Sequence, residues 1–281
     1  MSLPPLPTTP APERLRVVVL TCGNLGLECG AALARVPNVE VLAVVRAPEL
    51  RQRSVAKRLK LLYRRQGVGG LARSGLRRVG ALARRLGRAI GVGHARPGLT
   101  NDGSSVRVLD VEPFGSAATT ATLKQLAPDL GVVYGTGILR EETFGIPRFG
   151  CVNMHCGRLP DYKGAPPGFW ELYEGEAVVG VTIHRVTAKL DAGPILAQEV
   201  VALDPAPAGD VMAYVNGLWR DVLRPVGLRL LADVCTAVAA GAAVGRAQGP
   251  TTHPVYKFPD RHTVRELRQR VRARRRNVAV R

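Results

Sequence analysis

The sequence predicts an α/β chain built on a Rossmann-like, doubly wound and mostly parallel sheet, with a basic helical insertion and a helical C-terminal extension. Three observations carry this. Short runs of β-branched and aliphatic residues, bounded by glycine and turn residues, alternate with stretches of helical length. The first of these runs are apolar on both faces, as in strands covered by helices on either side of a sheet. The excess of positive charge is confined to two segments, and what remains is nearly neutral.

Taken in order, residues 1–14 are rich in Pro and Thr and are expected to be disordered. Leu15–Leu20 reads as a buried parallel strand, followed by the turn Thr21-Cys22-Gly23-Asn24-Leu25-Gly26 and a helix to about Val36. That turn suits a plain βα connection. It also has the glycines to cradle a phosphate at a helix start, although the G-x-G-x-x-G spacing is missing. Val39–Val45 reads as a second strand, and a basic insertion spans residues 48–97. Val106–Leu109, Leu130–Tyr134 and the short Cys151–Asn153 continue the strands, with a helix at Ser116–Leu126. Gly180–Arg185 and Ile195–Leu203 look like two more strands, and Asp210–Ala240 is largely helical. Residues 206–281 are expected to form a helical extension ending in a basic tail.

Of 281 residues 46% are apolar, enough for a sizeable core. There are 40 Lys+Arg against 22 Asp+Glu, a net charge of +18. Residues 51–97 hold 14 basic and no acidic residues, and residues 257–281 hold 10 basic and 2 acidic ones, so the rest is net −4. Within the insertion Val79, Leu82, Leu86 and Ile90 share one helical stripe, and Arg77, Arg84, Arg85 and Arg88 fall opposite. Val55, Leu59 and Leu62 repeat the apolar spacing in an earlier helix, and such a hairpin suits packing with a solvated charged face, or an anionic surface such as a membrane or nucleic acid. The five cysteines form no C-x-x-C pair, which fits reduced thiols in a cytoplasmic protein. No signal peptide is expected, and no apolar run is long enough to span a bilayer.

The chemistry concentrates in two stretches. Asn153-Met154-His155 places an amide and an imidazole two residues apart, on one face of a strand and near the carboxyl edge where such sheets bind ligands. Asp191, in Leu190-Asp191-Ala192-Gly193, adds a carboxylate. Together they could stabilise an oxyanion and relay protons, with Asp191 orienting the imidazole, holding a water and raising its pKa. No metal is needed. Each piece alone has a plainer reading: N-x-H is common, and Asp before Ala-Gly-Pro is a turn former.

Gly150–Gln198 resembles the formyltetrahydrofolate-dependent formyltransferase family. The likeness rests on Asn153 and His155, on Leu159-Pro160-Asp161-Tyr162-Lys163-Gly164, and on Pro167 and Trp170. It continues through Gly180-Val181-Thr182-Ile183-His184 and Leu190-Asp191-Ala192-Gly193-Pro194-Ile195-Leu196. A weaker likeness reaches back through Pro128-Asp129 to the first strand, so that residues 15–205 would be the catalytic domain. The resemblance implies catalytic roles for Asn153, His155 and Asp191, with 10-formyltetrahydrofolate as donor. It implies a pterin pocket lined by Gly137, Ile138 and Leu139, by Cys151, and by the loop Val186, Thr187, Ala188, Lys189 and Leu190. Cys156-Gly157-Arg158 stands where many members have Pro-Ser-Leu, which puts the acceptor side in doubt. Cys156 invites a nucleophile reading, and His184 is expected to pack near the sheet.

The expected acceptor is a small amine, anionic or phosphorylated, with an amino sugar carried on a nucleotide first. Methionyl-tRNA and glycinamide ribonucleotide are the alternatives, followed by hydrolysis of the donor and by a non-catalytic binding protein on the same fold. The helical reading of the C-terminal segment counts against tRNA, and the basic insertion counts for it.

Overall fold

The computed structural model describes residues 5–9, 14–48, 96–99 and 105–279. Eight strands form one sheet in the order β3-β4-β2-β1-β5-β6-β7-β8. They are β1 (Leu15–Cys22), β2 (Val39–Ala47), β3 (Arg96–Leu99), β4 (Ser105–Asp110), β5 (Leu130–Val133), β6 (Cys151–His155), β7 (Val178–Arg185) and β8 (Ile195–Ala202). β4, β2, β1, β5 and β6 are parallel, whereas β3 and the β6-β7-β8 end are antiparallel. The chain winds outward from β1 through β2 and β4, then crosses back to β5. The switch point therefore lies between β1 and β5, where open α/β sheets leave a crevice at the carboxyl edge.

The alternation of apolar residues decides the two cores. Val17, Val19, Val132, Val152 and Met154 face one side, with α1 (Leu25–Leu33) and the C-terminal helices. Val18, Leu20, Val133 and Cys151 face the other, with Leu123 of α2 (Ala117–Leu126) and Phe144 of α3 (Glu141–Phe144). Ser116 caps α2 by accepting from Thr119 N at 3.2 Å, a contact worth about 1 kcal/mol.

The expected helical extension is only partly helical. α5 (Val211–Leu218), capped by Asp210, passes through a π-turn at Trp219–Leu223 into α6 (Arg224–Ala239), which packs on α1, β7 and β8. Residues 241–260 form neither helix nor strand, but a strap that bridges to Ile195 through Arg246 and to Gly164 through Tyr256. α7 (Arg261–Ala279) follows, burying Leu267 and Val271 while Arg265, Arg272 and Arg276 stay exposed. Arg274 reaches inward and donates to the carbonyls of Leu172 and Tyr173 at 2.7 and 2.9 Å, at the end of α4 (Phe169–Glu174). Near the N-terminus, Leu6 is half-buried against the core and Thr9 lies beside Gly241, while Pro5, Thr8 and Thr9 are exposed. β3 was not anticipated; it pairs antiparallel on the outer edge of β4. The amphipathic stripes at 55–62 and 79–90 lie outside the described residues.

Candidate active site

Antiparallel pairing of β6 with β7 sets the polar groups. Its register puts Asn153 opposite His184 and His155 opposite Thr182. Asn153 Nδ2 lies 3.1 Å from His184 Nε2, and His184 Nδ1 lies 2.9 Å from the Arg185 carbonyl oxygen. A carbonyl only accepts, so Nδ1 carries a hydrogen. An amide nitrogen only donates, so Nε2 is left to accept from Asn153. This fixes which way that amide faces and leaves its second N–H for a ligand.

His155 has the opposite tautomer. Its Nε2 donates to the Tyr162 carbonyl at 2.6 Å, so its Nδ1 is bare and lies 3.7 Å from Asp191 Oδ2. Burial pushes the His155 pKa below its usual 6.5; Asp191 and the Tyr162 hydrogen bond act the other way, and His184 adds to the lowering. The expected raising by Asp191 is present but smaller than the desolvation, so His155 is a neutral base at neutral pH. Gly157 makes its hydrogen bond possible, since a Cβ there would overlap both His155 Nε2 and the Tyr162 oxygen.

Asp191 is buried and charged. Burial opposes the charge, but its carboxyl is held below the usual carboxylate range by His184 and His155, whose facing nitrogens attract it whenever they carry a proton, and by the Gly164 N–H. Gly164 N donates to Oδ2 at 3.1 Å, and His184 Nε2 lies 3.5 Å from Oδ1. Asp191 has φ +46, a left-handed conformation that costs a non-glycine residue about 1–3 kcal/mol. Gly164, at φ +98, lies so close to the strap that a side chain would strike the Tyr256 backbone.

These groups stand at the base of a cleft of about 810 Å³ at the carboxyl edges of β5 and β6. One wall is Gly135–Leu139, a second is Val186–Asp191, and the strap supplies Tyr256, Lys257 and Phe258. Ile138, Leu190 and Phe258 turn large apolar side chains into this space at 71%, 41% and 50% exposure. The backbone of Ile138 and of Ala188 enters no backbone hydrogen bond among the described residues, so it is available to a polar ring edge. Asn153, His155, Asp191, Gly137, Ile138, Leu139 and the whole 186–190 loop line the cleft.

Cys151 does not line it. Alternation puts Cys151 on the face of Asn153 and His155, but further from the carboxyl edge. Its side chain therefore packs beneath the cleft, with Sγ against Gly131. Cys156 is buried and its thiol is pushed up to about 12 by burial and by Glu171, which removes the thiolate a nucleophile needs. Sequence reasoning missed His184 as a partner of Asn153, although Thr182-Ile183-His184 repeats the two-residue polar spacing of Asn153-Met154-His155. It also missed the strap, for which no local signal existed.

The profile of the formyl transferase family matches residues 107–214. That match covers less than half of the chain. Asn153, His155, His184 and Asp191 all fall inside it, while the strap does not. The chain is 40% identical over 142 residues to the methionyl-tRNA formyltransferase of Roseiflexus castenholzii, covering 50% of this chain and 43% of that protein. It is 36% identical over 145 residues to that of Bordetella pertussis, covering 51% and 44%. The chain thus spans less than half the length of these relatives. Among solved structures, glycinamide ribonucleotide transformylase 1 from Symbiobacterium toebii aligns with a TM-score of 0.53 at 23% identity, over 85% of this chain and 96% of that one. A sugar N-formyltransferase from Shewanella sp FDAARGOS_354 aligns with a TM-score of 0.53 at 14% identity, over 92% and 87%. At these identities the likeness is one of fold. It places the matched segment in the same α/β architecture, and no helix among the described residues is long and apolar enough to cross a membrane.

Proposed function

We propose that this chain transfers the formyl group of 10-formyltetrahydrofolate to the amine of a small phosphorylated acceptor, a nucleotide-linked amino sugar first. The observation that carries the reading is the convergence of Asn153, a neutral His155 and a charged Asp191 at the base of one apolar-walled cleft. The donor's flat ring would lie between Ile138 and Leu190, its polar edge meeting backbone groups of 137–139 and 186–190. The unspent Asn153 N–H would stabilise the oxyanion formed when the amine attacks the formyl carbon. Removing such a donor costs about 10²–10³ in kcat. The bare Nδ1 of His155 would take the proton the amine nitrogen sheds, with Asp191 steadying the imidazolium. The proton would then pass to the departing donor nitrogen, so that no covalent enzyme intermediate is required.

The acceptor's anionic part is assigned to the basic insertion, with its 14 basic residues in 51–97. A second acceptor, charged tRNA, is favoured by the 40% identity to a methionyl-tRNA formyltransferase. Incubation with 10-formyltetrahydrofolate and a panel of amino-sugar nucleotides, ribonucleotide amines and charged tRNA, read as tetrahydrofolate release, tests both. Turnover with the sugar nucleotides supports the first reading, and turnover with tRNA alone replaces it with the second. No turnover on any amine, together with no folate binding, removes formyl transfer.

A further inference from the structure

The strap lies outside the segment that matches the family, yet it touches both loops that bear the catalytic groups. On one side Tyr256 N donates to the Lys163 carbonyl at 2.9 Å and Ala165 N donates to the Tyr256 carbonyl at 3.3 Å, bracketing Gly164. On the other, the side-chain amide of Gln248 donates to two carbonyls of the Asp191 turn: Asp191 O at 3.0 Å and Gly193 O at 2.7 Å. Both Nε2 hydrogens are spent there, and the buried Oε1 meets no donor among the described residues. A buried amide oxygen without a partner is costly, so an amide is retained here for its two donors. What it holds is a residue with a left-handed backbone, whose carboxylate must meet His155 on one oxygen and His184 on the other.

We propose that Gln248 is a positioning residue for Asp191, clamping the turn so that the carboxylate stays aimed between the two histidines. The inference rests on the formyl-transfer reading for its kinetic consequence but not for its geometry. Gln248 touches no reacting group. It acts through Asp191 alone, so its effect disappears once Asp191 has lost its charge.

The test is a double-mutant cycle on the full chain, with Gln248→Ala, Asp191→Asn and the double variant. Gln248→Ala is expected to lower kcat by about ten- to a hundredfold, the scale of a misplaced group, with the donor KM changed less than about threefold. In the Asp191→Asn background it should lower kcat no further. Gln248→Glu keeps the shape without the two donors and should fall at least as far, which guards against a cavity effect or a misfolded alanine variant. A second readout needs no turnover: the His155 imidazole titration followed by NMR in the protein without substrates. Gln248→Ala should move its midpoint in the same direction as Asp191→Asn, and the double variant no further than Asp191→Asn. Additive losses in kcat, an unchanged kcat in both Gln248 variants, or a His155 midpoint left at its wild-type value would overturn the proposal. If the wild type formylates no amine, the formyl-transfer reading fails, while the titration still decides the clamp.

Discussion

Two walls of one cleft are built in opposite ways. The loop after β6, residues 156–165, is fastened along its length. Thr182 Oγ1 donates to the Gly157 carbonyl at 2.8 Å, Gln198 Nε2 to the Leu159 carbonyl at 2.8 Å, and Thr251 Oγ1 to Asp161 Oδ1 at 2.8 Å. The Tyr162 hydroxyl donates to Glu174 at 2.8 Å. The wall after β5 has little of this: beyond Gly135 its hydrogen bonds are local, such as Thr136 Oγ1 to the Gly137 carbonyl at 2.8 Å, and Ile138 stands 71% exposed. The first wall places His155 and the Gly164 N–H, where small displacements are costly. The second offers apolar area and unspent backbone groups, where adaptability is useful to a binding surface. The contrast teaches that order in this site follows the chemistry and that looseness follows ligand capture.

That contrast can be broken or sharpened by mutation. The largest effect belongs to the groups the fastened loop serves. His155→Ala or Asn153→Ala should each lower kcat by about 10²–10⁴ with the far-UV circular dichroism unchanged, and near-normal formylation in both would separate the chemistry from this constellation. Next comes Gly157→Ala, whose new methyl drives the imidazole and the Tyr162 carbonyl apart; kcat should drop about a hundredfold with the donor KM nearly constant. Ile138→Ala on the loose wall should do the reverse, raising the donor KM about fivefold to tenfold for roughly 1–1.5 kcal/mol of lost apolar contact, and leaving kcat alone. A fall in kcat there instead would mean that the loose wall also aims the reacting groups.

The pH profile follows from His155. Its pKa in the folded protein lies below 6.5, so the base form persists through neutrality, and the acid limb of kcat/KM should fall below pH 6.5. Asp191 opposes that lowering, so Asp191→Asn should move the limb to still lower pH; a limb above 6.5 in the wild type would contradict the dominance of burial. Smallest of all is Cys156→Ala. The buried thiol, pushed up to about 12, offers no thiolate, so turnover should stay within about twofold while the midpoint of thermal unfolding drops a few degrees.

Much of this was legible in the chain. Leu15–Leu20 and Leu130–Tyr134 declare buried parallel strands by unbroken apolar runs, and the two-residue spacing of Asn153 and His155 gives their common face. The alternation that places them also carries Cys151 to that face, but depth along the strand is a property of the sheet edge, which no local pattern reports. Asp191 could be named but not delivered, because its approach to His155 depends on Gly164 and on Gln248, 57 residues further along the chain. The strap was read as part of a helical extension because Asp210–Ala240 and the Arg-rich end are both helical. Residues 241–260 between them take their form from partners on β8 and on the loop after β6, and not from their own sequence.

The chain has 2 tryptophans, and one of them sits on the strap. The Trp170 ring stacks on Tyr256 at 4.9 Å between centroids, and its Nε1 donates to the Lys257 carbonyl at 3.1 Å. The indole therefore works as a built-in optical gauge. With Trp219 replaced by Phe, the emission of Trp170 would report, without any label, on the contact between the indole and the segment that forms one wall of the site.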